Sequence, residues 1–460
     1  MTFDTGGVST AKAAAPGIMS GAYLWITIGA CALVFLGAFE SLAVTTVMPT
    51  VSAELDGERL YALAFAGPLA TGVIGMVVAG NWADRRGPVE PLYTSVAVFV
   101  AGLLVAGLAP SMAVLVVGRF AQGLGSGGLM VALYVVVAKV YPRDLHPAIF
   151  AGFAAAWVIP SLIGPSVAGA VTELWSWHWV FLGVVVLVLV ALLMVVPALR
   201  GLARSGDAAT PWAFGRLGWS LLAALAVLGL NLLGDVPGAG PALAAAAVVV
   251  ALIAVRPLLP AGALRARRGL PSVILVRGLT AAAYFGAQIY IPYLLMDRYG
   301  LSPTIAGLSL TGGALAWSIA ATVQGRMGAR LDSVVAVRIG TALVFAGVGV
   351  SLVATALRAE AIVIVVAWIV AGAGMGLMSP RSSALTLGMS STEDQGFNSA
   401  AMTVSDSFGS ALALALTGVL FAGTAAVADP FTAVFALAAA IGLAAAVLAP
   451  RLAPREVSAG

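Results

Sequence analysis

Apolar residues in this chain fall in long blocks separated by short polar or glycine-bearing turns. A helix crosses a hydrocarbon layer in about 20 apolar residues. Blocks of that order lie at Leu24–Met48, Tyr61–Val78, Leu92–Leu108, Met112–Val137, Ile149–Val171 and Trp179–Val196. Two more follow at Leu217–Leu233 and Pro241–Val255. A last set lies at Val273–Leu295, Thr304–Val323, Val335–Leu357, Ala361–Leu387, Phe397–Phe421 and Phe431–Leu448. The pattern predicts an all-α integral membrane protein with about 14 transmembrane helices. A count of about 12 would instead lay the seventh and eighth blocks along the membrane surface. Because those two come as a pair, the direction of every other span is the same either way.

Composition strengthens the membrane reading. The chain of 460 residues is 61% hydrophobic and 9% charged, with a mean hydropathy of +1.06, against about one quarter charged in soluble domains. The net charge of +4 calls for no acidic or nucleic-acid partner; the position of the charges matters more. With the N-terminus inside, Lys12, Arg85, Arg86, Lys139, Arg200, Arg256, Arg265, Arg267, Arg268, Arg338 and Arg451 all face the cytoplasm. Only Arg59, Arg298 and Arg358 face outward, which predicts a cell-membrane protein with both tails cytoplasmic. The first twenty residues lack the basic-then-apolar order of a cleaved signal and read as a soluble tail. Cys31 is the single cysteine, so no internal disulfide is possible. His146 and His178 are too few and too scattered for a metal cluster. No glycine-lysine phosphate loop is present and no nucleophile–base set stands out. The expectation is a non-enzyme without a cofactor, driven by the proton gradient.

The chain also repeats itself. GLGSGGLM from Gly123 returns as GAGMGLMS from Gly372, GNWADRRGPV from Gly80 as GRMGARLDSV from Gly325, and Pro49 as Pro292. Two six-helix bundles related by pseudo-two-fold symmetry fit this, with the two extra helices between them. The expected boundaries are a tail at 1–21, a first bundle at 22–200, a linker with the extra pair at 201–270, a second bundle at 271–450 and a tail at 451–460. Repeats of this kind bind substrate near the bilayer midplane, between the halves.

Four motifs carry chemistry. GNWADRRGPVEPL resembles the loop signature of the major facilitator superfamily: Gly80, Ala83, Asp84, Arg85 and Gly87 match, whereas Trp82 stands for leucine and Pro88-Val89 for a basic pair. Asp84 at a helix end suits a latch, accepting from a helix N-terminus or an arginine of the other half; Ala329 stands at its place in the second copy. GRFAQGLGSGG resembles the fourth-span motif of the same superfamily through Arg119, Gln122, Gly123 and Gly125. WVIPSLIGPSVAGA resembles its fifth-span antiporter motif through Gly164, Pro165 and Gly169, with Pro160 in place of a glycine. FESLAVTTVMPTV resembles the first-span signature of the 14-span drug:proton antiporter family, with Glu40 as its acid and Pro49 as its proline. Close helix packing also uses such glycines.

Charges inside the spans point to sites. At about 1.5 Å per residue, Glu40 lies roughly 13 Å inside Pro49, and Arg119 about 10 Å inside Met112. The two therefore share a depth, and a charge there faces a cavity or another charge. Two readings follow: a proton-coupling acid poised beside Arg119, or a permanent structural pair. In the second half Arg277, Arg381 and Asp406 form a similar set, and Asp406 is expected to partner at least one of the arginines. Gln122, Trp157, Tyr284 and Gln288 are the candidate cavity lining, and helix packing explains the same residues.

The resemblance implies a monomeric multidrug:proton antiporter. Its partners are the lipid bilayer, protons and a small hydrophobic or cationic substrate. A dedicated exporter or proton symporter of one metabolite, lipid or siderophore fits the same motifs, as does a non-transporting sensor on the same fold.

Overall fold

The computed structural model describes residues 18–453 except 22, 143–144, 200–211, 213, 234–238, 328–329, 392–393 and 425–427. Most of both tails, with Lys12, Arg200 and Ala329, lies outside the described residues. The first bundle contains α1 (Leu24–Glu54), α2 (Leu63–Arg86), α3 (Val89–Gly107), α4 (Met112–Val140), α5 (His146–Leu174) and α6 (His178–Leu199). The extra pair is α7 (Phe214–Leu233) and α8 (Gly240–Val255). The second bundle contains α9 (Leu270–Gln288), α10 (Tyr290–Tyr299), α11 (Pro303–Met327), α12 (Ser333–Ala356), α13 (Ala361–Gly388), α14 (Gln395–Thr424) and α15 (Pro430–Leu448). α9 and α10 together make one span, broken at Ile289.

Local sequence explains where helices begin and stop. Ser111, Asp332 and Asp429 each cap a helix by accepting from the backbone N–H three residues on, of Val114, Val335 and Thr432. Gly87 closes α2 at φ +85° and Gly300 closes α10 at φ +64°, where a side chain would be strained. α5 bends by 40° between Ala148–Ser161 and Ile163–Leu174. Pro160 and Pro165 flank that bend and remove backbone donors.

The span count differs in detail from the sequence reading. Among the described residues 11 helices are long and apolar enough to cross a membrane, or 12 with the bent α5. α7 and α8 form where the sequence places them. Among the described residues their apolar parts are Phe214–Leu230 and Ala242–Leu258. The protein is an all-helical, multi-pass membrane protein. α7 and α8 pack on each other, and α7 lies against α2 and α14 at the junction of the halves.

The repeat is visible in the packing. On α4, a Cβ placed at Gly127 would stand 2.2 Å from the carbonyl oxygen of Gly72 on α2, and one at Gly125 would stand 2.4 Å from Phe99 N on α3. On α13, a Cβ at Gly376 would stand 2.0 Å from the carbonyl oxygen of Trp317 on α11, and one at Gly374 would stand 2.5 Å from that of Gly340 on α12. Each bundle therefore presses its fourth helix against its second and third through the same glycine pair. Small residues make such backbone contact possible, and it holds helices together where lipid is as apolar as the side chains.

Candidate functional site

The charged centre of the first bundle forms where α1, α2 and α4 meet. Glu40 and Arg119 are 5% and 4% exposed. Arg119 donates from Nη1 to the Glu40 carboxylate and, at 2.6 Å, to Gln122 Oε1, while its Nε donates to Ala64 O at 3.0 Å. Arg119 thus ties three helices through one guanidinium. The Nε2 of Gln122 is buried without a partner, an unspent donor beside the ion pair. Gln122 belongs to this centre, one turn along α4 from Arg119.

The second bundle is built differently at the same level. The shift that carries Gly123 to Gly372 carries Arg119 to Trp368. Trp368 is buried and stacks on Tyr284 at 4.5 Å between centroids, and Trp317 meets Tyr284 edge-on at 5.6 Å. The charges of this half lie elsewhere. Arg277 donates from Nε to both Asp406 oxygens at 2.8 Å and from Nη1 to Ser382 Oγ at 3.4 Å. Arg381 turns away to α11, donating to Gln324 Oε1 at 2.5 Å and Gln324 O at 2.7 Å. Of the predicted trio, Arg277 and Asp406 meet, while Arg381 joins α13 to α11.

Among the described residues, hydrogen bonds join the halves at the end of the bundle away from where α1 starts and α15 finishes. Tyr61 Oη donates to Ile289 O at 2.9 Å, and Thr304 N donates to Glu173 Oε1 at 3.0 Å. Glu173 of the first half thereby satisfies a free N–H in the first turn of α11, where the helix dipole favours an anion. The fifth-span motif sits at this closure. A Cβ on Gly169 would stand 2.9 Å from Thr304 Cα, and one on Gly307 would stand 2.9 Å from Pro165 O. Gly164 faces Phe39 of α1 at ordinary distance. Tyr61, Glu173, Thr304 and Gly307 were missed in the sequence. A Pro-Thr at a helix start opposite a Glu near a span end is a faint signal for such a cap.

The predicted latch loop has a different set of contacts. The charge acting on the exposed Asp84 is that of Lys139, on α4 of the same half; no hydrogen bond from Asp84 to the second half occurs among the described residues. Arg85 lies 5.2 Å from the Trp212 ring. Trp82, the departure from the motif, donates to Glu90 at 3.0 Å, and Arg86 also reaches Glu90 at 3.4 Å. Gly87 is required for its turn; Gly80 has room for a side chain, with Val131 at 3.6 Å.

The four residues expected to line a cavity have different surroundings among the described residues. Gln122 is taken up by Arg119, Tyr284 by its aromatic neighbours, and Gln288 is buried with Oε1 unpartnered. Trp157 is 44% exposed on α5. Helical spacing told which side chains share a face, but not which neighbour covers that face.

Comparison with known proteins places this architecture. The sequence profile described as Major Facilitator Superfamily matches residues 30–357 and 273–459. The chain belongs to the Major Facilitator Superfamily. It is 28% identical over 452 residues to a probable multidrug-efflux transporter of Mycobacterium tuberculosis, covering 92% of this chain and 93% of that one. It is 26% identical over 302 residues to a multidrug efflux pump of Staphylococcus aureus, covering 62% of this chain. The chain spans 65% of that pump's length, just under two thirds. A peptide transporter crystallised with sulfate superimposes with a TM-score of 0.67 at 16% identity, over 93% of this chain and 94% of that one. At that identity the likeness shows the fold alone.

Proposed function

We propose that this transporter exports hydrophobic or cationic small molecules in exchange for protons, by alternating access across the cell membrane with both termini cytoplasmic. The observation that carries the reading is the buried Glu40 carboxylate in α1, held by Arg119 in the bundle interior. A buried pair is stable only while both charges stay matched. When the halves separate around it and water enters, the carboxylate gains a second option, a proton, and Arg119 retains Ala64 O and Gln122 as acceptors. The contacts at Tyr61–Ile289 and Glu173–Thr304 hold the state closed at the outer end; opening there and closing at the inner end completes the cycle. The multidrug-efflux relatives support export, and the concentration of Arg and Lys at one face supports the orientation. No cofactor enters this scheme, and the chain acts as a monomer in the bilayer.

The test uses proteoliposomes with a pH gradient and a panel of fluorescent hydrophobic and cationic dyes. Exchange predicts dye accumulation opposite in direction to proton flux, with loss of both in Glu40→Gln. Dye and proton moving in the same direction would make the protein a symporter, and no dye-dependent proton flux with any compound would remove the transport reading.

A further inference from the structure

The connector from α8 to α9 carries charge that the protein itself leaves unmatched. It contains Arg256, Arg265, Arg267 and Arg268, while no Asp or Glu occurs between residues 236 and 296. Among the described residues none of these four guanidinium groups has a protein acceptor. Arg256, Arg265 and Arg267 line a cavity of about 690 Å³. Its other wall is apolar: Trp219 of α7, Ile253 of α8 and Leu264 of the connector are all large side chains left exposed.

The cavity is firmly built. The N–H groups of Arg265 and Arg267 both donate to Gly262 O, at 3.1 and 3.2 Å, Ser272 Oγ donates to Arg267 O at 2.7 Å, and Gly269 N donates to Arg451 O at 3.0 Å. Leu258, Leu259 and Ala263 are buried beneath it. Gly262 turns the chain at φ +88°, and a Cβ there would stand 2.4 Å from Arg267 Cδ. The glycine therefore both makes the turn and leaves room for the arginine stem.

Guanidinium groups match phosphate oxygens in charge and geometry, and basic pockets between membrane helices suit lipid headgroups. A free inorganic anion would satisfy the arginines alone. An acyl chain also covers Trp219 and Ile253 and continues along the exposed apolar faces of α7 and α8. We propose that the cavity between α7, α8 and their connector binds the headgroup of an anionic phospholipid. The extra helix pair would then be a lipid-holding element beside the junction of the halves, independent of the proton chemistry at Glu40.

Native mass spectrometry of the full-length protein in detergent tests this, with phosphatidylglycerol and phosphatidylcholine of identical acyl chains as probes. Wild type is expected to retain phosphatidylglycerol in preference. Affinity should fall about fivefold for each guanidinium removed in Arg265→Gln and in the triple Arg256→Gln/Arg265→Gln/Arg267→Gln, with phosphatidylcholine binding unchanged. The pair Arg326→Gln/Arg330→Gln, away from the cavity, should keep the wild-type preference. Equal retention of the two lipids overturns the proposal, as does equal weakening by the distant pair, which would mean diffuse attraction. Full displacement of phosphatidylglycerol by the same concentration of inorganic phosphate would make it an anion site and overturn the lipid assignment. Should the triple variant not fold, the single Arg265→Gln carries the same reading.

Discussion

Tyr284 stacks on Trp368 at the place in the second bundle where the first joins Glu40 to Arg119. The two halves share their helix order and their glycine contacts, so the scaffold does not account for the difference. One half carries an ion pair whose charges are stable together and unstable apart. The other carries an aromatic contact that can be wetted or dried without changing charge. Among the described residues, the Glu40–Arg119 pair thus has an aromatic contact, not a second ion pair, at the corresponding place in the second half.

Removing either partner of the ion pair separates its structural and coupling roles. Arg119→Gln leaves a buried carboxylate unmatched and is expected to lower stability by about 3–5 kcal/mol. Glu40→Gln should be milder, because Arg119 keeps Ala64 O and Gln122, yet it should abolish proton-driven transport. The double variant should recover most of the stability of Arg119→Gln and none of the transport. Thermal unfolding in detergent, read as a double-mutant cycle, with flux in proteoliposomes checks all three. Full coupled transport in Glu40→Gln would leave the pair with a structural role only.

Much of this architecture was legible in the sequence for a physical reason: span length, glycine spacing and the rarity of intramembrane charge are strong local constraints. Depth counting put Glu40 level with Arg119, and the two side chains meet. What the sequence left open was neighbour choice. Arg381 and Arg277 lie in equally plausible positions for Asp406, and only the third dimension shows Arg381 turned toward Gln324. Tyr284 and Gln288 share a helical face, but periodicity carries no record of whether that face meets solvent or Trp368. The closure through Glu173 and Thr304 was hidden because its donor is a backbone N–H, which every residue but proline has.

The glycine contacts predict an asymmetry between two substitutions of the same kind. Gly376→Ala pushes a methyl against the Trp317 carbonyl, which belongs to the backbone and cannot swing aside, so α11 and α13 must separate. A loss of about 1–3 kcal/mol is expected. Gly349→Ala on α12 meets nothing within 4 Å and should gain about 0.5–1 kcal/mol from helix propensity. Melting temperatures of the two variants should move in opposite directions; equal shifts would mean that helix contact through Gly376 is not tight.

Closure at the outer end should be adjustable one bond at a time. Tyr61→Phe removes a buried hydrogen bond to Ile289 O, worth about 1 kcal/mol, so the closed population should fall about fivefold relative to the open one. Glu173→Ala acts at an exposed cap and should do less. Spin labels at Leu174→Cys and Ile305→Cys, on a Cys31→Ser background, report the separation of α5 and α11 directly. The distance distribution should broaden to longer values in Tyr61→Phe; an unchanged distribution would show that the hydrogen bond does not hold this end shut.

Asp429 offers a pH test outside the spans. Burial pushes its carboxyl up, but hydrogen bonds from Thr432 and Arg298 and the charge of Arg298 outweigh this and hold it below the usual range. Its folded value is thus lower than the unfolded one of about 3.9. For a depressed carboxyl, the stabilisation is present above the unfolded value and disappears as pH falls through the folded value. Stability owed to Asp429 should therefore be constant from neutral pH down to about 5 and decline below about 4. Arg298 donates to Asp429 at 2.6 Å and to Thr355 O at 2.9 Å, so this one carboxylate helps hold α10, α12 and α15 together. Asp429→Ala should lose about 1–2 kcal/mol at pH 7 through the missing cap. Asp429→Asn keeps a capping oxygen and should lose less, with a flatter acid limb than wild type. Melting curves at pH 7, 5 and 3.5 decide it: parallel acid limbs for wild type and Asp429→Asn would show that this carboxylate contributes nothing to acid sensitivity.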